Sequence, residues 1–123
     1  RTFGSLSQVE MDDLMSGYFV GWEPDLKLKN HSNMIATAQD VGKFLRALND
    51  GSLLNDAEQA IYSSIYVYEH TGLTPGYQSI ARYHKDIDAI VVQFVNTSGG
   101  DMWTLSEIVY NRIVKIISRK ESS

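Results

Sequence analysis

The chain has no cysteine among its 123 residues. That rules out a disulfide framework and thiolate chemistry, and it leaves the compartment open. No apolar run approaches the ~18 residues of a membrane span. No signal peptide follows Arg1, so the chain reads as a processed product or a fragment. There is no internal repeat and no low-complexity tract. Basic clustering is confined to the tail "SRKESS", which reads as a frayed end. With 11 Lys and Arg against 15 Asp and Glu, the net charge is -4. That argues against a nucleic-acid partner, which requires a basic face. His31, His70 and His84 show no zinc spacing, so no metal is expected. There is no phosphate-binding glycine loop, and no cofactor is implied. The carboxylates are scattered, without the paired arrangement of a glycosidase. "TSGGD" is expected to be a flexible connection capped by Ser98 or Asp101.

What the chain does contain is enough for one core of ordinary composition. Residues 1–123 are read as a single domain. "VEMDDLM" suits a short helix ended by Ser16-Gly17. "GYFVGW", Gly17 to Trp22, suits a short strand. Leu26 and Leu28 alternate with lysines, as a brief edge strand would. The first firm element starts at Thr37. "TAQD" has the form of a capping box, with Thr37 as N-cap and Asp40 at N3. Val41, Phe44, Leu45 and Leu48 then form one apolar stripe at helical spacing. Gly51 is the expected left-handed cap. Asn55 is the expected cap of a second helix, with Ala57, Ala60 and Ile61 facing inward.

After Ser63 the period changes from 3.6 to 2. "SIYVYEH" alternates Ile65, Val67 and Glu69 against Tyr66, Tyr68 and His70. Thr74-Pro75-Gly76-Tyr77 suits a type II turn with positive φ at Gly76. Tyr77 to His84 is the next strand, and "KDID" is a tight turn. "AIVVQFVN", Ala89 to Asn96, is apolar almost throughout, as a strand in mid-sheet would be. A last helix from Asp101 to Arg119 sets Leu105, Ile108, Val109, Ile113 and Ile116 against Glu107, Asn111, Lys115 and Ser118. The order predicts an α+β fold. It has an antiparallel sheet of at least three strands, the C-terminal helix packed on one face, and two preceding helices.

Several segments resemble, in order, those of the serine β-lactamase and penicillin-binding-protein-like hydrolases, a group that includes esterases and D-aminopeptidases. "NMIATAQDVGKFLRALNDGSLL" is similar to the family segment GGM-x-STA-x-DLAKF…L-x-x-G-x-LL. "HTGLTPGYQS" is similar to the third active-site motif, KTG in β-lactamases and H-x-G in esterase-like members. "IVVQFVNTSGG" resembles the strand and loop before the last helix. "TF" at Thr2-Phe3 and "SGYFVGW" are fainter echoes. The resemblance covers Met34 to Ile117 and implies a partial β-lactamase/transpeptidase-like fold. It also implies that the motif strand lines the substrate groove, with Leu73 N–H as half of an oxyanion hole. Gly72 would leave room for the substrate backbone. His70 and Thr71 would bind the substrate's polar or carboxylate end, with His70 helping proton transfer. Histidine titrates near pH ~6.5 where lysine stays charged. The expected substrate is therefore a neutral ester, an amide or a small peptide.

The family's nucleophile motif, S-x-x-K, is missing: no serine has lysine three residues on. Its second motif, Y-x-N or S-x-N, is missing as well. Tyr62-Ser63-Ser64 and Tyr77-Gln78-Ser79 match only loosely and read as structural. In the family both motifs lie upstream of the matched region. The chain is therefore expected to be the C-terminal portion of a hydrolase, inactive alone. It would need the N-terminal half of the same fold, or self-association, to cover the exposed edge of Ala89–Asn96. The alternative is a non-catalytic α+β interaction or oligomerisation module. Relatives of this kind are often exported, and the chain itself leaves localisation undetermined.

Overall fold

The structure is a computed structural model and describes residues 2–3, 14–26, 35–65 and 69–121. Its strands are β1 (Thr2–Phe3), β2 (Tyr18–Phe19), β3 (Ile35–Ala36), β4 (Glu69–Thr74), β5 (Tyr77–His84), β6 (Ala89–Val95) and β7 (Thr97–Ser98). Its helices are α1 (Ala38–Asp50), α2 (Asp56–Ile65) and α3 (Met102–Glu121). β4, β5 and β6 form an antiparallel three-stranded sheet in that order. α1 covers one face and α3 the other. The α+β architecture is the expected one.

α1 begins and ends as its sequence dictates. Thr37 Oγ1 accepts the Asp40 amide at 3.1 Å, and Gly51 closes the helix at φ 82°. Leu45 and Leu48 are buried against Ala81 of β5, with Val41, Ile90 and Val92 around them. Phe44 breaks the expected stripe and is largely exposed. α2 opens with a reciprocal cap: Asn55 Oδ1 accepts the Glu58 amide at 2.9 Å, and Glu58 Oε1 accepts the Asn55 amide at 3.0 Å. Its expected inward face is corrected: Ala57, Ala60 and Ile61 are exposed. The helix is held by another flank. Tyr62 packs on the Leu45–Leu48 cluster, and Gln59 Nε2 donates to the Leu48 carbonyl at 3.5 Å. α2 also runs on through Ile65, where a strand was expected. There, backbone continuity from a well-capped helix overrides β propensity. The alternation expected at 66–68 lies outside the described residues.

The first segments are shorter than expected. Only Tyr18–Phe19 of "GYFVGW" is a strand, and Trp22 folds back onto Phe19. Leu26 is buried in irregular backbone, its amide donating to the Gly17 carbonyl at 2.8 Å. Residues 9–13 of the expected first helix and 27–30 of the expected edge strand lie outside the described residues. Tyr77 donates its hydroxyl to the Met15 carbonyl at 2.7 Å. Burial, with Asp25 nearby, pushes its pKa up to about 12, so it stays a neutral donor.

The two turns of the sheet follow expectation. Gly76 has φ 91°, the positive value its turn position requires. At residues 85–88, Asp88 is gripped by Arg46: Nη1 lies 2.6 Å from Oδ1, and Nη2 donates to the Asp88 carbonyl at 2.9 Å. The Arg46 hydrogen bond, with one from Tyr83, holds the Asp88 carboxyl below its usual range. Both ionic groups face solvent, so the pair adds little stability. "TSGG" is not the flexible connection expected. Thr97–Ser98 pairs in parallel with β2, and buried Ser98 accepts the Gly76 amide on Oγ at 2.7 Å.

β6 is covered on both faces, as its continuous apolar run predicts, and it lies at the sheet edge, as expected where the family's neighbouring N-terminal strand is missing. Among the described residues no strand lies alongside Ile90, Val92 and Phe94 on the outer side. One element sits differently from the sequence-based picture. α3 does pack on the sheet, but with Ser106 and Tyr110 fully inward and Trp103, Val114 and Ile117 beside them. The expected contact face is the exposed one: Leu105, Ile108, Val109, Ile113 and Ile116 are 37–55% exposed. The helix carries two stripes at helical spacing, and the one containing tyrosine wins. Tyr110 Oη donates to the Val91 carbonyl at 3.1 Å and so accepts from His84 Nε2 at 2.8 Å. Its ring meanwhile fills the core against Ile80 and Val91.

Burial separates two isoleucines cleanly. Ile80→Ala should cost about 2–5 kcal/mol in urea unfolding. Ile61→Ser should stay within about 0.5 kcal/mol. A large loss at Ile61 would restore the inward face first expected for α2.

Candidate functional site

His70, Thr71, Gly72 and Leu73 are consecutive residues of β4, the strand at the other edge of the sheet. His70 and Thr71 are exposed, Gly72 is half-buried, and Leu73 is 64% exposed. Among the described residues no helix covers them. The register sets Thr74 opposite Tyr77, Leu73 opposite Gln78 and Gly72 opposite Ser79. A two-residue turn closes on a hydrogen-bonded pair, here Thr74 and Tyr77. Alternation then gives Gly72 and His70 to the ladder with β5. It turns the main chain of Thr71 and Leu73 outward, away from β5. The Leu73 N–H therefore faces the open side of an edge strand, where a ligand backbone can reach it.

Gly72 meets a steric limit. A Cβ there would lie 2.5 Å from Ser79 Oγ. Glycine leaves room for the serine hydroxyl beneath the motif, while the Ser79 Cβ, 3.8 Å away, is at ordinary contact distance. The sequence reading does not single out Ser79. The signal was present in the turn count, because pairing 74 with 77 fixes 72 against 79. Gln78, opposite Leu73 in the register, is buried, and among the described residues its side-chain amide has no hydrogen-bond partner.

The other sequence candidates fall elsewhere. His84 is tied to Tyr110 under α3 and is structural. His31 lies outside the described residues. Tyr62-Ser63-Ser64 closes α2, whereas Tyr77-Gln78-Ser79 opens β5 and lies opposite the motif. Among the described residues no cluster of His, Asp and Glu could hold a metal ion. No described helix is long and apolar enough to cross a membrane. A shallow hollow of about 430 Å³ lies between α1 and Ile90, lined by Gly42, Lys43, Arg46, Ala47 and Asp50. It is on the β6 side of the sheet, remote from β4.

A three-stranded antiparallel sheet between helices, with an open motif strand, is half of a β-lactamase-like fold. A solved structure makes the likeness concrete: D-amino acid amidase from Ochrobactrum anthropi SV3, in complex with D-phenylalanine. The two agree with a TM-score of 0.66 at 22% sequence identity. The match takes in 94% of this chain and 48% of the amidase. This chain thus spans about half the length of that protein. No protein-family profile and no curated protein sequence matches the chain.

The Gly72–Ser79 contact is open to a double-mutant test. Gly72→Ala should destabilise the hairpin by about 1–3 kcal/mol through overpacking. Adding Ser79→Ala should recover most of the loss. Equal losses with and without Ser79→Ala would mean the two residues do not touch.

Proposed function

We propose that this chain is the substrate-binding half of a serine hydrolase of the β-lactamase, D-alanyl-D-alanine-peptidase or esterase type. The half carrying Ser-x-x-Lys completes it, and the chain is inactive without that half. One observation carries the reading: the amide following His-Thr-Gly points out from an uncovered edge strand. An extended ester, amide or short peptide lies along β4 as an added strand. Leu73 N–H holds its carbonyl oxygen as negative charge develops, and Gly72 gives the substrate backbone clearance. His70 and Thr71 bind the polar end, with His70 assisting proton transfer. The amidase's D-phenylalanine complex supports small amino-acid amides as the substrate class.

The chemistry needs both halves. Leu73 N–H would supply one donor of an oxyanion hole, typically worth ~3 kcal/mol of barrier. The attacking serine and its base come from the complementary half. A second reading, a non-catalytic interaction module, draws on the absent nucleophile and the exposed flank of α3.

A fluorophosphonate probe separates the two. The full-length gene product should label on a serine outside residues 1–123, and the isolated chain should stay unlabelled. A full-length product that never labels favours the interaction module. Leu73→Pro removes the outward N–H without touching the ladder. In the full-length enzyme it should lower kcat by about 10²–10³-fold with little change in Tm. Unchanged kcat would sink the oxyanion role. His70→Gln in the full-length enzyme should lower kcat/KM for a carboxylate-bearing substrate more than for a neutral ester. Equal values for the parent and the variant remove His70 from the site.

A further inference from the structure

Between the sheet and the N-terminal half of α3 lies a seam of buried polar side chains that the candidate site does not use. Ile80 faces α3, so alternation along β5 turns Gln78 to the same face. Ile80 pairs with Gln93 of β6, and cross-strand partners share a face, so Gln93 joins them. Gln93 Nε2 donates to the Ser106 carbonyl at 3.0 Å, so its side chain reaches α3. α3 runs antiparallel to β6, since Ser106 lies by Gln93 and Tyr110 by Val91. Its first turn therefore lies toward Val95, the partner of Gln78. Gln78 and Gln93 are diagonal neighbours in the ladder, roughly 7–8 Å apart in the backbone, a span that one small molecule bridges between two long side chains.

The seam carries more polar atoms than it satisfies. Gln78 is 3% exposed and Ser106 4%. Among the described residues Gln78 Oε1 and Nε2, Gln93 Oε1 and Ser106 Oγ are buried and have no hydrogen-bond partner. Ile80, Val91 and Tyr110 close the seam from within, with Trp103 beside them. A buried amide or hydroxyl left without a partner is costly, and folded interiors carry few of them. Direct pairing does not meet the need. Gln93 has committed its amide nitrogen to α3, which leaves its oxygen as an acceptor alone. Ser106 does not return its hydroxyl to its own helix, as Ser118 does to the Val114 carbonyl at 2.9 Å.

We propose that Gln78, Gln93 and Ser106 form a binding site for internal water between β5, β6 and α3. The Gln78 amide nitrogen and the Ser106 hydroxyl donate to the water oxygen, and the water donates to Gln93 Oε1. Three bonds of this kind are the usual complement of a buried water. A second water on Gln78 Oε1 completes the set. The ligand class follows from the lining: small, neutral, and both donor and acceptor. Gln78 stands opposite Leu73, whereas His70 stands opposite Ala81 on the α1 face. The water therefore lies behind the motif strand, on the face away from His70. The proposal does not depend on the hydrolase chemistry or on any further polypeptide.

A high-resolution crystal structure of the full-length gene product tests it without any activity readout. Expected is an ordered water within hydrogen-bond distance of Gln78, Gln93 and Ser106. A seam without that water, its amides bonded directly to each other or to main chain, overturns the proposal. In solution, oxygen-17 relaxation dispersion counts the waters held longer than the protein takes to tumble. Gln78→Met, Gln93→Met and Ser106→Ala together delete the polar atoms at nearly constant volume. That triple variant should lose at least one long-lived water relative to the parent. An unchanged count in a folded variant overturns the proposal as well. Should the variant not fold, the parent's crystal structure decides alone.

Discussion

Ile80 and Ala81 are neighbours on β5, and both are buried, on opposite faces of the sheet. This is the constraint on which the rest of the molecule hangs. β5 is hydrogen-bonded along both edges and covered on both faces. Ala81 receives Leu45 and Leu48 of α1, and Ile80 receives Tyr110 of α3. The hairpin turn at 75–76 fixes the phase of β4 against β5, and the turn at 85–88 fixes that of β6. Once those two phases are set, every outward-facing amide on either edge is determined. The outward main chain of the candidate site on one edge and that of β6 on the other are read off the same strand.

Much of this was legible in the sequence because local and tertiary preferences agree. Thr37 and Gly51 bound α1, and both cap it through backbone chemistry that needs no neighbour. Pro75-Gly76 specifies its turn for the same reason. The run from Ala89 to Val95 announces a strand covered on both faces, and it is covered on both. Its edge position came from the resemblance and not from the run itself, because apolarity reports covering and not hydrogen-bond partners. α3 was misread for a related reason. Its most apolar stripe is not the one that packs, because Tyr110 offers both a large ring and a hydrogen bond to the Val91 carbonyl. α2 turned away from its alanines because Tyr62 gains more from burial than Ala57 or Ala60.

The candidate site divides along similar lines. His-Thr-Gly before a Pro-Gly turn was readable as a motif, and its open position on an edge strand agrees with that reading. The steric fit of Gly72 over Ser79 was not visible in composition or period, since it comes from cross-strand register. The absence of Ser-x-x-Lys is a property of the sequence, and no rearrangement of these residues creates that motif. On the proposed reading, this half-fold presents half of an active site. It also presents the apolar flank of α3 that a whole fold would have reason to cover.

Ser98 joins regions that would otherwise be separate. Its hydroxyl accepts the amide of Gly76, three residues beyond Leu73, and its carbonyl accepts the Val20 amide. The next carbonyl, that of Gly99, receives the first amide of α3. The turn after the motif strand, β2 and the first turn of α3 thus share one pair of residues, so that replacing Ser98 would disturb all three at once.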